Sequence, residues 1–169
     1  MITLFHGSYT SVESPSVAYG RKRLDFGPGF YLTMLQTQAT TWAQTMAERK
    51  GPDADAVLNV YDFDYEAAST HFRIKKYEEY DLEWLEYVVD CRHGGKLHEA
   101  FDIVEGGVAN DNVVDTVENY EKGIITAEQA LGQLRHKKVN HQICILNQKV
   151  IDECLSFKAC IAFAPHEDE

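Results

Sequence analysis

The chain of 169 residues lacks the features that mark membrane, secreted and metal-binding proteins. No apolar run approaches the roughly 20 residues of a membrane-spanning helix, and the N-terminus has neither the basic start nor the long apolar stretch of a secretion signal. The four cysteines form no Cys-x-x-Cys pair of the kind that binds zinc or carries redox chemistry. We therefore expect a cytoplasmic protein with reduced thiols, no contact with membranes and no metal site.

Positive charge is also scarce. Lysine and arginine number 16 against 27 aspartate and glutamate residues, so the formal net charge is -11, which disfavours loose, charge-driven binding to nucleic acid or anionic lipid. Two short basic clusters, 21–23 and 135–138, are either surface turns and helix ends or sites that steer a pyrophosphate. A hydrophobic content of 44% is typical of globular proteins, and we expect one domain over residues 1–169.

The apolar patterns mix strands and helices without the regular alternation of a βαβ fold. A capping box at Thr126 opens one of the helices, and Asp81 caps another. This mixture predicts an α+β fold with a largely antiparallel sheet. The patterns predict strands over 2–5, 30–32, 56–63, 101–104, 142–146 and 157–163, and helices over 38–50, 82–93, 112–122, 127–135 and 148–154.

The most informative stretch is a glycine loop that runs into a strand and then a helix. Gly27, Pro28 and Gly29 allow the backbone to approach a ligand closely, and a flat ring fits between Tyr31 on the strand and Trp42 on the helix. The same pattern is that of an ordinary hairpin turn, with Trp42 as the core-facing anchor of its helix. His6 has two interpretations as well: a ligand-binding side chain at a strand end, or a partly buried histidine with protein partners.

Three segments together resemble the ADP-ribosyltransferase superfamily, on the side of the diphtheria-type toxins and the poly(ADP-ribose) polymerases. Those proteins carry a His-Gly pair on an early strand, then Gly-x-Gly-Φ-Tyr-Φ (Φ, apolar) before a helix with a second aromatic, and a Glu at the start of a late strand. The corresponding segments here are His6-Gly7-Ser8, residues 27–33 with Trp42, and residues 140–146. The segment 102–111 is similar to one found in a bacterial branch of unassigned function.

The resemblance implies a split antiparallel β-sheet with surrounding helices, and NAD as the substrate. It implies that His6 binds the adenosine ribose hydroxyls, that Gly7 and Ser8 bind the nicotinamide carboxamide, and that Tyr31 and Trp42 stack on nicotinamide. The wider set of NAD-binding residues that it implies also contains Gly29, Phe30 and Thr33, and the catalytic set is Gln142, Tyr31 and His6.

Position 142 departs from the family because it holds Gln where Glu is expected. Gln142 keeps a hydrogen bond to the ribose 2′-hydroxyl but has no charge, and losing one such contact costs about 3 to 4 kcal/mol of transition-state stabilisation. Candidate auxiliary residues are Asp102, Glu105, Asn110 and Asp111. For Asn110 and Asp111 the alternative is that they cap the helix that follows.

Three functions are consistent with these residues. The first is an ADP-ribosyltransferase that moves ADP-ribose from NAD to a protein or nucleic-acid acceptor, as the toxin of a toxin–antitoxin pair whose partner is an antitoxin protein. The second is a non-catalytic module that binds NAD or ADP-ribose, which the neutral Gln142 favours. The third is a nucleic-acid-modifying relative, which only the two basic clusters favour.

Overall fold

A computed structural model describes residues 1–109 and 113–163 of the chain. Within these ranges there are seven strands and six α-helices, with short 3-10 turns at Val17–Tyr19 and Leu97–Ala100. The strands are β1 (Ile2–Ser8), β2 (Phe30–Leu32), β3 (Ala56–Phe63), β4 (Ile74–Lys76), β5 (Ile103–Gly106), β6 (Gln142–Ile145) and β7 (Leu155–Phe163). The helices are α1 (Gln36–Lys50), α2 (Tyr65–His71), α3 (Leu82–Arg92), α4 (Val114–Glu121), α5 (Ala127–Leu134) and α6 (Gln148–Cys154). None of these helices is both long and apolar enough to cross a bilayer.

The strands form two sheets that are mostly antiparallel. One sheet has the order β1-β3-β7, and the other has the order β2-β6-β5-β4, in which β4 and β5 run parallel. The prediction of an α+β fold with a largely antiparallel sheet is therefore confirmed. The predicted capping box is also confirmed, because the Thr126 hydroxyl accepts from the Gln129 N–H while the Gln129 side chain accepts from the Thr126 N–H.

The two sheets meet at a backbone bridge between β1 and β2. Phe5 and Thr33 exchange N–H···O bonds of 2.8 and 2.9 Å. Beyond this pair β1 and β2 share no backbone bond in the described ranges, and the His6 ring donates to the Tyr31 carbonyl instead. The sheets therefore part at the level of His6 and Gly7.

Side chains of β2, β5 and β6 alternate between two hydrophobic cores, as a pleated strand requires. One core lies between the two sheets and includes Leu4 and Tyr61 of the first sheet with Phe30 and Ile143 of the second. The other core lies on the opposite face of the second sheet, against α3, α4 and α5. Its members on the strands are Val104, Cys144 and the partly buried Tyr31.

Several predicted elements differ from the structure. Helix α2 and strand β4 were not predicted, because seven and three residues give too short a pattern to recognise. Strand β1 continues through Ser8, since it pairs with β3 along its whole length. Helix α1 buries Ala39, Ala43 and Ala47, whereas Trp42 is 40% exposed. The interpretation of Trp42 as a core-facing anchor is therefore wrong.

Candidate functional site

His6 is held at the point where the two sheets part. Its Nδ1 lies 2.7 Å from the carbonyl oxygen of Tyr31, and its ring packs on Phe30 with centroids 4.5 Å apart. A carbonyl only accepts, so Nδ1 carries the hydrogen. Burial lowers the pKa of His6 more than the bond to Tyr31 raises it, which favours the neutral ring. In that form Nε2 is a hydrogen-bond acceptor.

Gly7 presents its backbone to the gap between β1 and β2. The backbone groups of Phe5 point towards β2, where they bond Thr33, and in an antiparallel ladder those of Gly7, two residues on, point the same way. A Cβ at Gly7 would collide with the carbonyl oxygen of Ala39 and lie 2.7 Å from the N of Ala43. Helix α1 therefore packs directly on Gly7, and this packing is a structural reason for the absence of a side chain there.

Tyr31 and Gln142 project from one face of the second sheet. Tyr31 pairs with Cys144, so Gln142, two residues before Cys144, is a diagonal neighbour of Tyr31, a relation that typically separates Cα atoms by about 7 to 8 Å. The Oε1 of Gln142 is buried and has no hydrogen-bond partner in the part of the chain that the structure describes. A hydroxyl donor from a ligand would satisfy that oxygen.

The hydroxyl of Tyr31 is hydrogen-bonded to the backbone at the start of the glycine loop (27–29). It donates to the carbonyl of Gly27 at 2.7 Å and accepts from the N–H of Phe26 at 3.1 Å, and burial raises the pKa of Tyr31 well above its usual range. A Cβ at Gly29 would lie 2.5 Å from both the Cys144 Sγ and the Ile145 carbonyl oxygen. Packing against β6 therefore requires Gly29, and the loop orients the Tyr31 ring through its hydroxyl.

The other predicted binding residues take different positions. Phe30 faces the core between the sheets, opposite to Tyr31. Ser8 is buried, and its hydroxyl accepts from the Thr10 N–H at 3.4 Å. Thr33 is also buried, and its hydroxyl accepts from the Leu35 N–H at 3.0 Å. These three residues shape the backbone around the gap.

Trp42 lies on the side of α1 that faces the start of β6. Gln38, one turn earlier on the same helix face, donates its amide to the carbonyl of His141 at 2.7 Å. The Trp42 ring has the guanidinium of Arg49 above it, 5.3 Å from the ring centre. In the described ranges it makes no ring contact with Tyr31.

A buried carboxylate lies on the opposite face of the second sheet from Gln142. Glu105 is 3% exposed. Its Oε2 accepts from the Tyr65 hydroxyl at 2.7 Å and its Oε1 lies 3.1 Å from Nε2 of His141, with the Lys76 ammonium 3.9 Å away. Burial raises the pKa of Glu105, but the bonds from His141 and Tyr65 outweigh it, so the pKa lies below the ordinary value. From this face Glu105 does not reach the space beside Gln142 directly.

Asp102 directly precedes β5, at the end of that strand away from Gln142. Its backbone carbonyl accepts from the Leu146 N–H, whereas Gln142 pairs with Gly106 at the other end of the ladder. Both carboxylate oxygens bond the Arg73 guanidinium, and one also accepts from Asn147. These bonds give Asp102 an architectural role, and the auxiliary role stays a prediction.

Two further predicted auxiliary residues, Asn110 and Asp111, lie outside the described residues. No group of side chains suited to hold a metal ion is found in ranges 1–109 and 113–163. Two open cavities of about 430 and 390 Å³ lie elsewhere, the first beside Tyr9 and Lys50 and the second beside Arg73 and His98. Neither is lined by His6, Tyr31 or Gln142.

Sequence reasoning missed three side chains that build this region: Gln38, Tyr65 and His141. They come from α1, α2 and the residue before β6, and contacts such as Gln38 to His141 span 103 positions. Local sequence patterns do not reveal contacts between residues that far apart in the chain. The only signal was the adjacency of His141 to Gln142.

These elements define an α+β protein of two small sheets that share a hydrophobic core and are joined by the bridge between Phe5 and Thr33. The model of the family DUF3990, described as a protein of unknown function, matches residues 2–157. The chain therefore belongs to the DUF3990 family. No curated protein and no solved structure matches it.

Proposed function

We propose that this protein binds NAD in the gap between β1 and β2 and transfers ADP-ribose from it to a macromolecular acceptor. The proposal includes the finer fold assignment, a split sheet of the ADP-ribosyltransferase type. The observation that carries it is the diagonal placement of Tyr31 and Gln142 on one sheet face, with His6 bonded to the Tyr31 backbone. These are the three residues that the family resemblance assigns to the catalytic set.

The local chemistry of the gap fits the groups that NAD presents. The carboxamide of nicotinamide both donates and accepts, which suits the N–H and C=O of Gly7. A ribose hydroxyl donates to the unpartnered Oε1 of Gln142, and another donates to Nε2 of His6. Tyr31 and Trp42 supply aromatic faces, each worth about 0.5 to 1.5 kcal/mol beyond area burial.

In the proposed reaction the bond between nicotinamide and ribose C1′ breaks, and its electron pair leaves with nicotinamide as a neutral ring. The acceptor's nucleophilic atom forms the new bond to C1′ and loses its proton to solvent. Positive charge develops on the ribose, and Gln142 offers it a dipole where a carboxylate would offer a full charge. The reaction is therefore expected to be slow unless the acceptor brings its own negative charge.

A second candidate is a module that binds NAD or ADP-ribose without turnover. The neutral Gln142 favours it, because binding needs the hydrogen bond and not the charge. The acceptor of the first candidate is a protein or a nucleic acid, and an antitoxin protein is the proposed partner if the chain is a toxin. The nucleic-acid alternative rests on the basic clusters at 21–23 and 135–138.

Calorimetry with NAD, followed by an assay for free nicotinamide, tests the proposal. Transfer predicts heat of binding and release of nicotinamide, which Tyr31→Ala abolishes and Gln142→Glu raises. Binding without release in both the wild type and the Gln142→Glu variant supports the second candidate. Label from NAD on added oligonucleotide instead of protein supports a nucleic-acid acceptor, and the absence of any heat contradicts the proposal.

A further inference from the structure

Residue His141 joins three separate elements immediately before Gln142. Its Nδ1 accepts from the N–H of Met34 at 3.1 Å, in the turn between β2 and α1. Its Nε2 lies 3.1 Å from Glu105 on β5. Its backbone carbonyl accepts from the Gln38 amide on α1 at 2.7 Å. The strand start that carries Gln142 is therefore tied to the helix that carries Trp42.

The partners of His141 determine its tautomer. The N–H of Met34 only donates, so Nδ1 is the unprotonated nitrogen and Nε2 carries the hydrogen towards Glu105. The second carboxylate oxygen is occupied by the Tyr65 hydroxyl, which fixes the orientation of Glu105. Because the Glu105 carboxylate accepts from Nε2–H of His141, it favours the tautomer in which Nδ1 accepts from the N–H of Met34.

Helix α1 depends on these contacts because it begins without a side-chain cap. Leu35 is its N-cap residue and offers no side-chain acceptor to the first N–H groups. The N–H of Met34 is satisfied by His141, and the N–H of Leu35 by Thr33. Gln38, in the first turn, is held by the His141 backbone.

We infer that His141, oriented by Glu105 and Tyr65, is a positioning residue that fixes the start of α1, and with it Trp42, relative to Gln142. Its effect on turnover rests on the proposed function. Tyr31 and Trp42 lie on either side of the turn that His141 holds, and Gln142 is the next residue along the chain. A shift of about 1 Å in such a group costs about a hundredfold in rate.

Two matched variants separate the two bonds of the ring. His141→Asn places an amide oxygen near the position of Nδ1 and keeps an acceptor for Met34, but it loses the bond to Glu105. His141→Gln places its amide NH₂ near Nε2 and keeps a donor for Glu105, but it loses the acceptor for Met34. Both variants replace the imidazole at the same position, so a general loss of stability affects both of them. The test is therefore the difference between the two variants.

Hydrogen exchange of the Met34 amide, measured without NAD, is the first readout. We expect exchange about five- to tenfold faster in His141→Gln than in wild type, and close to wild type in His141→Asn. Equal exchange in the two variants overturns the inference. This result does not depend on NAD binding, so it stays decisive even when calorimetry of wild type contradicts the proposed function.

Nicotinamide release is the second readout. We expect kcat to fall about ten- to a hundredfold in His141→Gln, with the NAD affinity changing less than threefold, and His141→Asn to keep most of kcat. A His141→Gln protein with a fast-exchanging Met34 amide and an unchanged kcat overturns the positioning role. If wild type binds NAD without turnover, the change in Trp42 fluorescence on addition of NAD, measured in a Trp84→Phe background, replaces kcat. An identical change in the two His141 variants overturns the positioning role.

Discussion

The two carboxylates at opposite ends of β5 are bonded in different ways. Asp102, which directly precedes the strand, is bound by the charged guanidinium of Arg73, whose side chain is 61% exposed. Glu105, towards the other end of the strand, is buried and bonded by the neutral donors Tyr65 and His141, with Lys76 only at the edge of contact. Asp102 is itself only 8% exposed, and its pairing with an opposite charge that reaches solvent stabilises the fold. A buried charge held by neutral dipoles instead orients its partners.

This difference indicates that the two ends of the β5–β6 ladder have different roles, stabilisation at the Asp102 end and orientation of side chains at the Glu105 end. The Asp102 end joins β4 and the segment after β6 through Arg73 and Asn147. The Glu105 end joins α2 and the start of β6, beside Gln142. Substitutions at the Asp102 end should therefore change stability alone, and substitutions at the Glu105 end should change both stability and the proposed binding of NAD.

The largest expected effect is that of Glu105→Ala. It leaves the Tyr65 hydroxyl and the His141 Nε2–H without their acceptor, which we expect to lower the free energy of unfolding by about 3 kcal/mol and to weaken NAD binding by up to about threefold, because the tautomer of His141 is no longer fixed. Urea unfolding and calorimetry measure the two effects. Glu105→Gln is the control, because it keeps an acceptor oxygen and the side-chain volume. A stable Glu105→Ala protein with normal NAD binding would remove the distinction between the two ends.

At the other end, Asp102→Asn should lower the free energy of unfolding by about 1 to 2 kcal/mol, because it loses the fork-to-fork bond with Arg73 and keeps only one acceptor. NAD affinity and nicotinamide release should stay at the wild-type level. The same urea and calorimetric measurements check this. A loss of NAD binding at full stability would favour the predicted auxiliary role of Asp102 instead.

The Asp102 contribution should also depend on pH. Bonds from Arg73 hold the pKa of Asp102 down at about 2, below the ordinary value near 3.8, so the stabilisation is complete above pH 4 and is lost as the pH falls towards 2. The difference in unfolding free energy between wild type and Asp102→Asn should shrink across that window. Arg73 is exposed to solvent, so the difference is modest. A difference that stays constant from pH 6 to about pH 2 contradicts this assignment.

The smallest expected effect is that of Tyr65→Phe. It removes one of the two bonds to Glu105 and leaves His141 in place, so we expect a loss of about 0.5 to 1.5 kcal/mol and a small change in NAD affinity, measured by the same two methods. The pKa of Tyr65, raised to about 12 by burial and by its bond to Glu105, excludes a role for ionised tyrosine near neutral pH. An effect on turnover as large as that of Glu105→Ala would mean that Tyr65 acts beyond orienting Glu105.

Local patterns in the sequence predicted much of the fold. Strand β3 and helix α6 have the predicted bounds, and Asp81 and Thr126 cap α3 and α5 as expected. These features depend on residues within a few positions of each other. The apolar stripe of α1 did not predict that Trp42 is exposed while the alanines are buried, because that choice depends on how closely the backbone of Gly7 approaches the helix.

The candidate site was predictable only in part for a related reason. The pairing of Tyr31 with Cys144 sets the position of Gln142, and the resemblance had already grouped these segments. The bonds of His141 to Met34 and Glu105 join residues 107 and 36 positions apart. Contacts of that range follow from the packing of the whole chain, and no motif records them.

The bridge between Phe5 and Thr33 also has a mechanical consequence. Two backbone bonds join the sheets at that point, and towards Ser8 the described residues have the bond from the His6 ring to the Tyr31 carbonyl as the next contact between β1 and β2. Separating these two strands beyond the bridge would therefore break the His6 bond and would leave the backbone pairing within each sheet in place.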